Sequence, residues 1–115
     1  MASKGIYQYT VQESNNAGLG QGGSVYLNTN AKTFTPTNGV IVAIQVLGNE
    51  VKLDVLTAED STKFIGIGGT GYESAGDTFD SDVILPASST IFGRFTSVSL
   101  AADQSDNNGI ICYIG

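Results

Sequence analysis

The sequence predicts an all-β protein, a single compact antiparallel β-sandwich or β-barrel of about seven to nine short strands. Charged residues make up only 14% of the chain, whereas about 25% is usual for a globular domain. Gly occupies 15 of the 115 positions, and Ser, Thr and Asn are frequent, which is typical of a chain rich in turns. The apolar runs are short, and turn signals separate them about every ten residues, as in sandwiches and barrels.

The length of the chain predicts its domain organisation. A chain of 115 residues normally builds one core, so residues 1–115 are expected to form a single β domain. Cys112 is the only cysteine, which rules out a disulfide within the chain. It lies among Ile and Tyr residues, and there a thiol packs as a small buried apolar group.

The clearest strand patterns lie in the middle of the chain. The segment "VIVAIQVLG" (40–48) is almost continuously apolar, which predicts a central strand buried on both faces. The next segment, "NEVKLDVLT" (49–57), alternates strictly between apolar and polar residues from Val51 to Val55. A two-residue loop at 48–49 is expected to join these two strands as a hairpin.

The remaining elements are shorter. Further strands are predicted at 5–13, 24–29, 32–36, 83–88, 90–101 and 110–115. The segment 57–64 has Thr57 three residues before Asp60, as in a capping box, and is expected to form at most one short helical turn. The Gly-rich segment 14–23 is expected to be a flexible loop whose role the sequence does not define.

The segment "TIFGRFTSVSLA" (90–101) contains the only arginine of the chain, Arg94. Gly93 is expected to mark a β-bulge, or to let another backbone or ring approach closely. Strict alternation would place the following residues on one face of the strand: Phe92, Arg94, Thr96, Val98 and Leu100.

The charge of the chain excludes several classes of function. The net charge is −6, and the five Lys and Arg residues are scattered along the sequence. Nucleic acids and anionic membranes are recognised by clusters of cations, so neither is an expected partner. No apolar run approaches the ~20 residues of a transmembrane helix. The first ten residues lack the apolar core of a signal peptide, so synthesis in a cytoplasm without export by that route is expected.

The sequence offers no recognisable catalytic constellation. His is absent, which removes Ser-His-Asp and Cys-His nucleophiles and His-ligated metals. Two segments, 18–23 and 66–71, match G-x-G-x-x-G, but no helix pattern follows either of them. Both are interpreted as chance matches in a Gly-rich chain. The expectation is therefore a protein that is not an enzyme and has no cofactor.

Acidic residues in loops give a weak indication of a Ca²⁺ site. Asp77, Asp80 and Asp82 cluster within one polar segment, and oxygen ligands on loops suit Ca²⁺. Their spacing is not that of an EF-hand. The competing interpretation is that they are solvated turn residues, whose side chains bond to nearby backbone.

Arg94 admits two main interpretations. It forms a structural salt bridge with one of the eleven acids, or it anchors a contact with another chain, because Arg and aromatic residues are enriched at the centres of interfaces. Residues 1–10 are a further candidate, an arm that orders on a neighbouring protein. The interface candidates are Lys4, Tyr7, Tyr9 and Arg94.

The order of elements across 38–115 carries a resemblance. "VIVAIQVLGNEVKLDVLTAED" is followed by the loop "AGDTF", the apolar strand "VILPASS", the segment "TIFGRFTSVSLA" and a terminal "YIG". This order resembles small structural proteins of tailed bacteriophages, such as head decoration (cement) proteins. The resemblance implies a small β-fold that binds an assembled shell, with no catalytic residues.

The main hypothesis is a capsid decoration protein, made in the host cytoplasm and carried in the virion. Its implied partners are the major capsid protein or other virion proteins, and a homotrimer is expected by analogy with shells that offer three-fold positions. One alternative is a receptor-binding β domain of a tail or fibre. The other is a Ca²⁺-dependent lectin-like module built on the acidic loops.

Overall fold

The computed structural model describes residues 22–104 and 108–115. These residues form an antiparallel sheet of six strands, which confirms the predicted all-β fold. The strands are β1 (Ser24–Leu27), β2 (Thr33–Phe34), β3 (Ile41–Val46), β4 (Leu53–Ala58), β5 (Thr90–Leu100) and β6 (Ile110–Ile114). The described part of the chain has no α-helix long and apolar enough to cross a membrane.

The long strand β5 organises the sheet. The strand order is β1-β6-β3-β5-β2, and β4 also pairs with β5. Val98 is paired with both Phe34 of β2 and Leu56 of β4, and Phe95 is paired with both β3 and β4. A strand has only two edges, so β3 and β2 lie end to end along one edge of β5 while β4 occupies the other.

The sheet curls because β5 bends. The Val46 amide donates a hydrogen bond to the Ser89 carbonyl just before β5 begins, whereas Leu53 pairs with Leu100 at its far end. A straight strand from Ser89 to Leu100 would span about 36 Å. The chain from Val46 to Leu53 can reach at most about 25 Å. Bulges in the pairing of β4 with β5 supply the bend.

The predicted central strand is confirmed. β3 lies between β5 and β6, and every one of its residues except Gln45 is buried. Apolar side chains from all parts of the sheet pack against it. The main core cluster consists of Leu27, Ile41, Ile44, Val46, Val51, Leu53, Leu56, Leu85, Phe95, Val98, Leu100, Ile110 and Cys112.

The predicted hairpin between 40–48 and 49–57 is wrong. The chain does turn there, with Glu50 in the left-handed region (φ 53°), but β3 and β4 do not pair. Both edges of β3 are occupied by β5 and β6, so β4 has no edge to join and crosses to the far side of β5. A bulge after Leu53 also ends the strict alternation, so that Leu56 instead of Val55 is fully buried.

One further prediction needs correction. The segment 83–88 contributes one bridge, between Val51 and Leu85, and is not a strand. The segment 57–64 contains the end of β4 and a single turn, in which the Lys63 and Phe64 amides donate to the Asp60 carbonyl, so it forms no more than the one short turn expected there. The one 3₁₀ turn of the described residues lies later, at Tyr72–Ser74. The strand predicted at 5–13 lies outside the described residues.

Candidate interaction surface

The first half of β5 contains the predicted bulge. Ile41 pairs with Phe95 and Ala43 with Phe92, so Gly93 and Arg94 together face one residue of β3. Two residues opposite one define a β-bulge, which increases the local twist and redirects side chains. The bulge therefore sets the direction in which the Arg94 side chain projects from the sheet.

Gly93 is required by the ring that lies against it. A Cβ atom at this position would lie 2.6 Å from Cζ of Phe95 and 3.0 Å from Cε2. The Phe95 side chain is fully buried, so its ring has little room to retreat. Both expectations for Gly93, a bulge and a close approach of a ring, are thus confirmed.

The predicted face of β5 is wrong beyond Thr96. Ser97 pairs with Thr57 and Phe95 with Ala58, so a second bulge lies at position 96. Phe95 and Val98 are both buried although three positions separate them. Before this bulge the even-numbered residues face outward, and after it they face the core. Phe92 and Arg94 therefore do not share a face with Val98.

Arg94 forms the predicted structural salt bridge, and its partner is Glu59. The Arg94 Nε atom donates to Glu59 Oε1 at 2.6 Å and Nη2 donates to Oε2 at 3.3 Å. The Glu59 amide also donates to the Arg94 carbonyl at 2.8 Å. The side chains are 24% and 41% exposed, respectively, so the pair contributes only about 0–1 kcal/mol to stability. Its main effect is to hold the guanidinium in one orientation.

Phe92 is the most exposed large apolar residue of the described chain, at 62%. It lies two positions before Arg94 on the outward face of β5. Thr96 continues that face and donates a hydrogen bond to the Thr57 carbonyl. We call Phe92, Arg94, Thr96 and Glu59 the β5 outer patch. It combines an exposed ring with a fixed Arg and is neutral in sum, as is typical of interface centres.

The other predicted site residues do not join this patch. Lys4, Tyr7 and Tyr9 lie outside the described residues. Asp77, Asp80 and Asp82 do not form a group that could hold a metal ion. Instead, Asp80 accepts a hydrogen bond from the Asp82 amide at 2.9 Å, the pattern of a turn aspartate.

Cys112 is fully buried in the core, as predicted. Burial raises the pKa of its thiol to about 12, because the charged thiolate is poorly solvated there. The motif at 66–71 is followed by a three-residue 3₁₀ turn and not by a helix, so the context for phosphate binding is missing there.

Sequence reasoning missed Glu59 and the exposure of Phe92. Glu59 lies 35 positions from Arg94, and no local pattern connects the two. Comparison with known proteins adds no assignment: no family model, no curated protein and no solved structure matches the chain significantly.

Proposed function

We propose that the chain is a non-enzymatic structural protein of a phage virion, a capsid decoration protein that binds the outer surface of the assembled shell. The observation that carries the proposal is the β5 outer patch, where Phe92 is exposed beside an Arg94 held by Glu59. The order of elements across 38–115 resembles phage decoration proteins and supports the same assignment.

The β5 outer patch is suited to contact with another protein surface. Covering an exposed aromatic ring stabilises a complex by roughly 25 cal/mol per Å² of apolar area removed from water. The ion pair with Glu59 holds the Arg94 guanidinium in one orientation, which lowers the entropy lost when a partner covers the patch. The partners in this proposal are the major capsid protein or other virion proteins.

The assembled form belongs to the same proposal. A homotrimer is favoured by analogy with the three-fold positions of capsids, and residues 1–10 act as an arm that orders on the shell. Deletion of residues 1–10 is then expected to weaken binding to particles. Unchanged binding after the deletion would remove the arm from the proposal.

The first experiment measures the abundance of the chain in purified cognate particles by quantitative peptide mass spectrometry. Abundance comparable to that of the major shell protein is expected for a decoration protein. Trace abundance would instead favour an assignment to the tail or a fibre. Complete absence from particles would overturn the virion assignment.

A second experiment tests the β5 outer patch itself. The variant Phe92→Ser is expected to bind particles lacking the protein at least about tenfold more weakly, since an aromatic anchor at an interface centre commonly contributes more than 1.4 kcal/mol. The matched control is Ile84→Ser, which removes another half-exposed apolar side chain (50%) away from the patch. Equal binding by both variants would contradict the assignment of the patch.

The variant Arg94→Ala separates the role of the arginine in stability from its role in binding to particles. The free energy of unfolding is expected to fall by less than about 1 kcal/mol, because the ion pair is partly exposed. Binding to particles is expected to fall much more, as measured by cosedimentation. A loss confined to urea stability, with binding intact, would leave Arg94 with a structural role alone.

One observation favours the alternative of a tail or fibre receptor-binding domain. Tyr72 is 56% exposed and lies in the loop region between β4 and β5, where such domains place their contact residues. The mass-spectrometric abundance distinguishes the two proposals, since a fibre contributes few copies per particle.

A further inference from the structure

A cleft lies between the end of β4 and the segment 61–74, beside the β5 outer patch, whose Thr96 donates to the backbone carbonyl of the cleft residue Thr57. Its volume is about 490 Å³, within the range of pockets that hold a small organic ligand. Five hydroxyl side chains line it: Thr57, Ser61, Thr62, Thr70 and Ser74. The remaining lining residues are three glycines, Ala58 and Ile67, so none of the lining residues carries a charge.

The wall of the cleft is held in place by backbone hydrogen bonds. The Ile67 amide donates to the Leu56 carbonyl of β4 at 2.7 Å, and the Phe79 amide donates to the Gly69 carbonyl at 2.9 Å. The Glu73 amide donates to the Thr62 carbonyl at 2.8 Å and attaches the opposite side. Because these hydrogen bonds already order the wall, little conformational entropy of the protein is lost when a ligand binds.

Gly66 lets this wall approach β4 closely. A Cβ atom at position 66 would lie 2.8 Å from the Leu56 carbonyl oxygen and 2.9 Å from the Ala58 nitrogen. A larger residue would therefore push the segment away from the strand and distort the cleft.

Two of the hydroxyls are oriented by neighbours. Ser97 donates to Thr57 Oγ1 at 2.9 Å, which leaves the Thr57 hydroxyl proton available to a ligand. Thr62 Oγ1 donates to Asp60 at 2.6 Å, which leaves its lone pairs available as acceptors. This hydrogen bond, together with that from the Thr62 amide, lowers the pKa of Asp60, so the arrangement persists at neutral pH.

The other three hydroxyls are available both as hydrogen-bond donors and as acceptors. Within 22–104 and 108–115, the side chains of Ser61, Thr70 and Ser74 make no hydrogen bond.

We propose that this cleft binds a neutral saccharide of one or two sugar rings, without a metal ion. Uncharged walls offer no counter-charge to an anion, while five hydroxyls offer the paired donors and acceptors that sugar hydroxyls require. On a virion, such a site would hold the particle to a neutral surface glycan. The site itself does not depend on the virion assignment.

The test is a titration of the full ¹⁵N-labelled chain, followed by amide chemical shifts in the presence of EDTA. The probes are glucose, galactose, N-acetylglucosamine, maltose and cellobiose, with glucuronate as the charged comparison. At least one neutral probe is expected to shift amides of 57–70 and 74 with a Kd of about 1–10 mM, a scale that matches a few hydrogen bonds. Glucuronate is expected to bind at least about tenfold more weakly.

Variants connect the shifts to the cleft. The double variant Thr70→Val/Ser74→Ala is expected to weaken binding about tenfold or more, since it removes two hydroxyls that contact the ligand. The matched control Thr33→Val removes an exposed hydroxyl on β2, outside the cleft, and is expected to bind normally. No shift with any neutral probe, or equal affinity in the double variant, would overturn the proposal, whatever the result of the particle experiments.

Discussion

At the scale of single residues, Gly93 shows how one missing side chain shapes the β5 outer patch. The ring of Phe95 occupies the space that a Cβ atom at 93 would need. The bulge at this point then directs Phe92 and Arg94 outward. The φ angle of Gly93 lies outside the left-handed region. Glycine is therefore needed here for space and not for its backbone conformation.

Gly93→Ala is expected to destabilise the fold by about 1–3 kcal/mol, the usual cost of overpacking a filled core. Urea denaturation measures the change. Gly69→Ala is the control, since a Cβ atom there would meet nothing closer than 3.4 Å, and its cost is expected to stay below about 1 kcal/mol. In a Phe95→Leu background the cost of Gly93→Ala should fall, and an unchanged cost would show that the ring is not the cause.

Cys112 gives a prediction for alkaline pH. Its pKa rises from 9.0 to about 12 on folding, so the folded state holds the proton more tightly than the unfolded state. This contribution is complete below about pH 9 and is lost as the pH rises towards 12. The free energy of unfolding of the wild type, relative to Cys112→Ala, is expected to fall by about 1.4 kcal/mol per pH unit over that window.

Denaturation at about pH 8 and about pH 10.5 measures that difference, and the comparison with Cys112→Ala cancels the titration of the tyrosines. The same thiol is expected to resist alkylation in the native protein and to react fully in denaturant. Parallel pH profiles for the two proteins would contradict the assigned burial of the thiol.

At the scale of elements, the sequence predicted what depends on local pattern. The continuous apolar run at 40–48 identified β3 as the central strand, and the glycine in the 90–101 segment identified the bulge. Pairing depends on residues far apart in the chain, so alternation alone could not predict it. The apparent hairpin failed because β5 and β6 occupy both edges of β3.

The outward direction of Phe92 was also beyond a local pattern. Alternation predicts one face for the whole of 90–101, but the bulge at Thr96 exchanges the two faces. That Phe92 is exposed while Val98 is buried follows only once the bulge at Thr96 is known. The ion pair could not be predicted from local pattern either, because the pairing of β4 with β5 is what places Glu59 beside Arg94.

The position of β3 predicts a wide range of amide hydrogen exchange. Ile44 is fully buried in a strand paired on both edges, whereas the segment 84–88 is mostly exposed and contains one bridge. The slowest amides of β3 are expected to exchange at least about 1000-fold more slowly than the amide of Ala87, relative to unstructured rates. NMR-detected exchange measures the ratio, and uniform protection would contradict the assigned arrangement.

At the scale of the whole molecule, low charge density predicts how the protein meets a partner. The chain has a net charge of −6, but the β5 outer patch contains one cation and one anion in contact. Binding to particles is therefore expected to change by less than about threefold between roughly 0.05 and 0.5 M NaCl. Cosedimentation measures it, and a steep loss with salt would indicate an electrostatic contact elsewhere on the surface.

The last described strand is expected to be essential for the whole sheet. Deletion of residues 110–115 removes the partner of β1 and one of the two partners of β3, so the product is expected to be unfolded by circular dichroism. Tyr113→Phe is the control, because it retains the strand and loses only the hydrogen bond to Gln45. A folded deletion product would show that β6 is dispensable.

The placement of β5 and β6 late in the chain also has a consequence for synthesis. Every strand pair of the described sheet includes one of these two strands. A ribosome that has made the chain only up to residue 89 has thus made β1 to β4 before any of the strands with which they pair. Such distant pairings form slowly, and an unpaired apolar strand such as β3 is prone to aggregate meanwhile. A cell that makes this protein in quantity is therefore expected to protect each nascent chain until β5 and β6 have emerged.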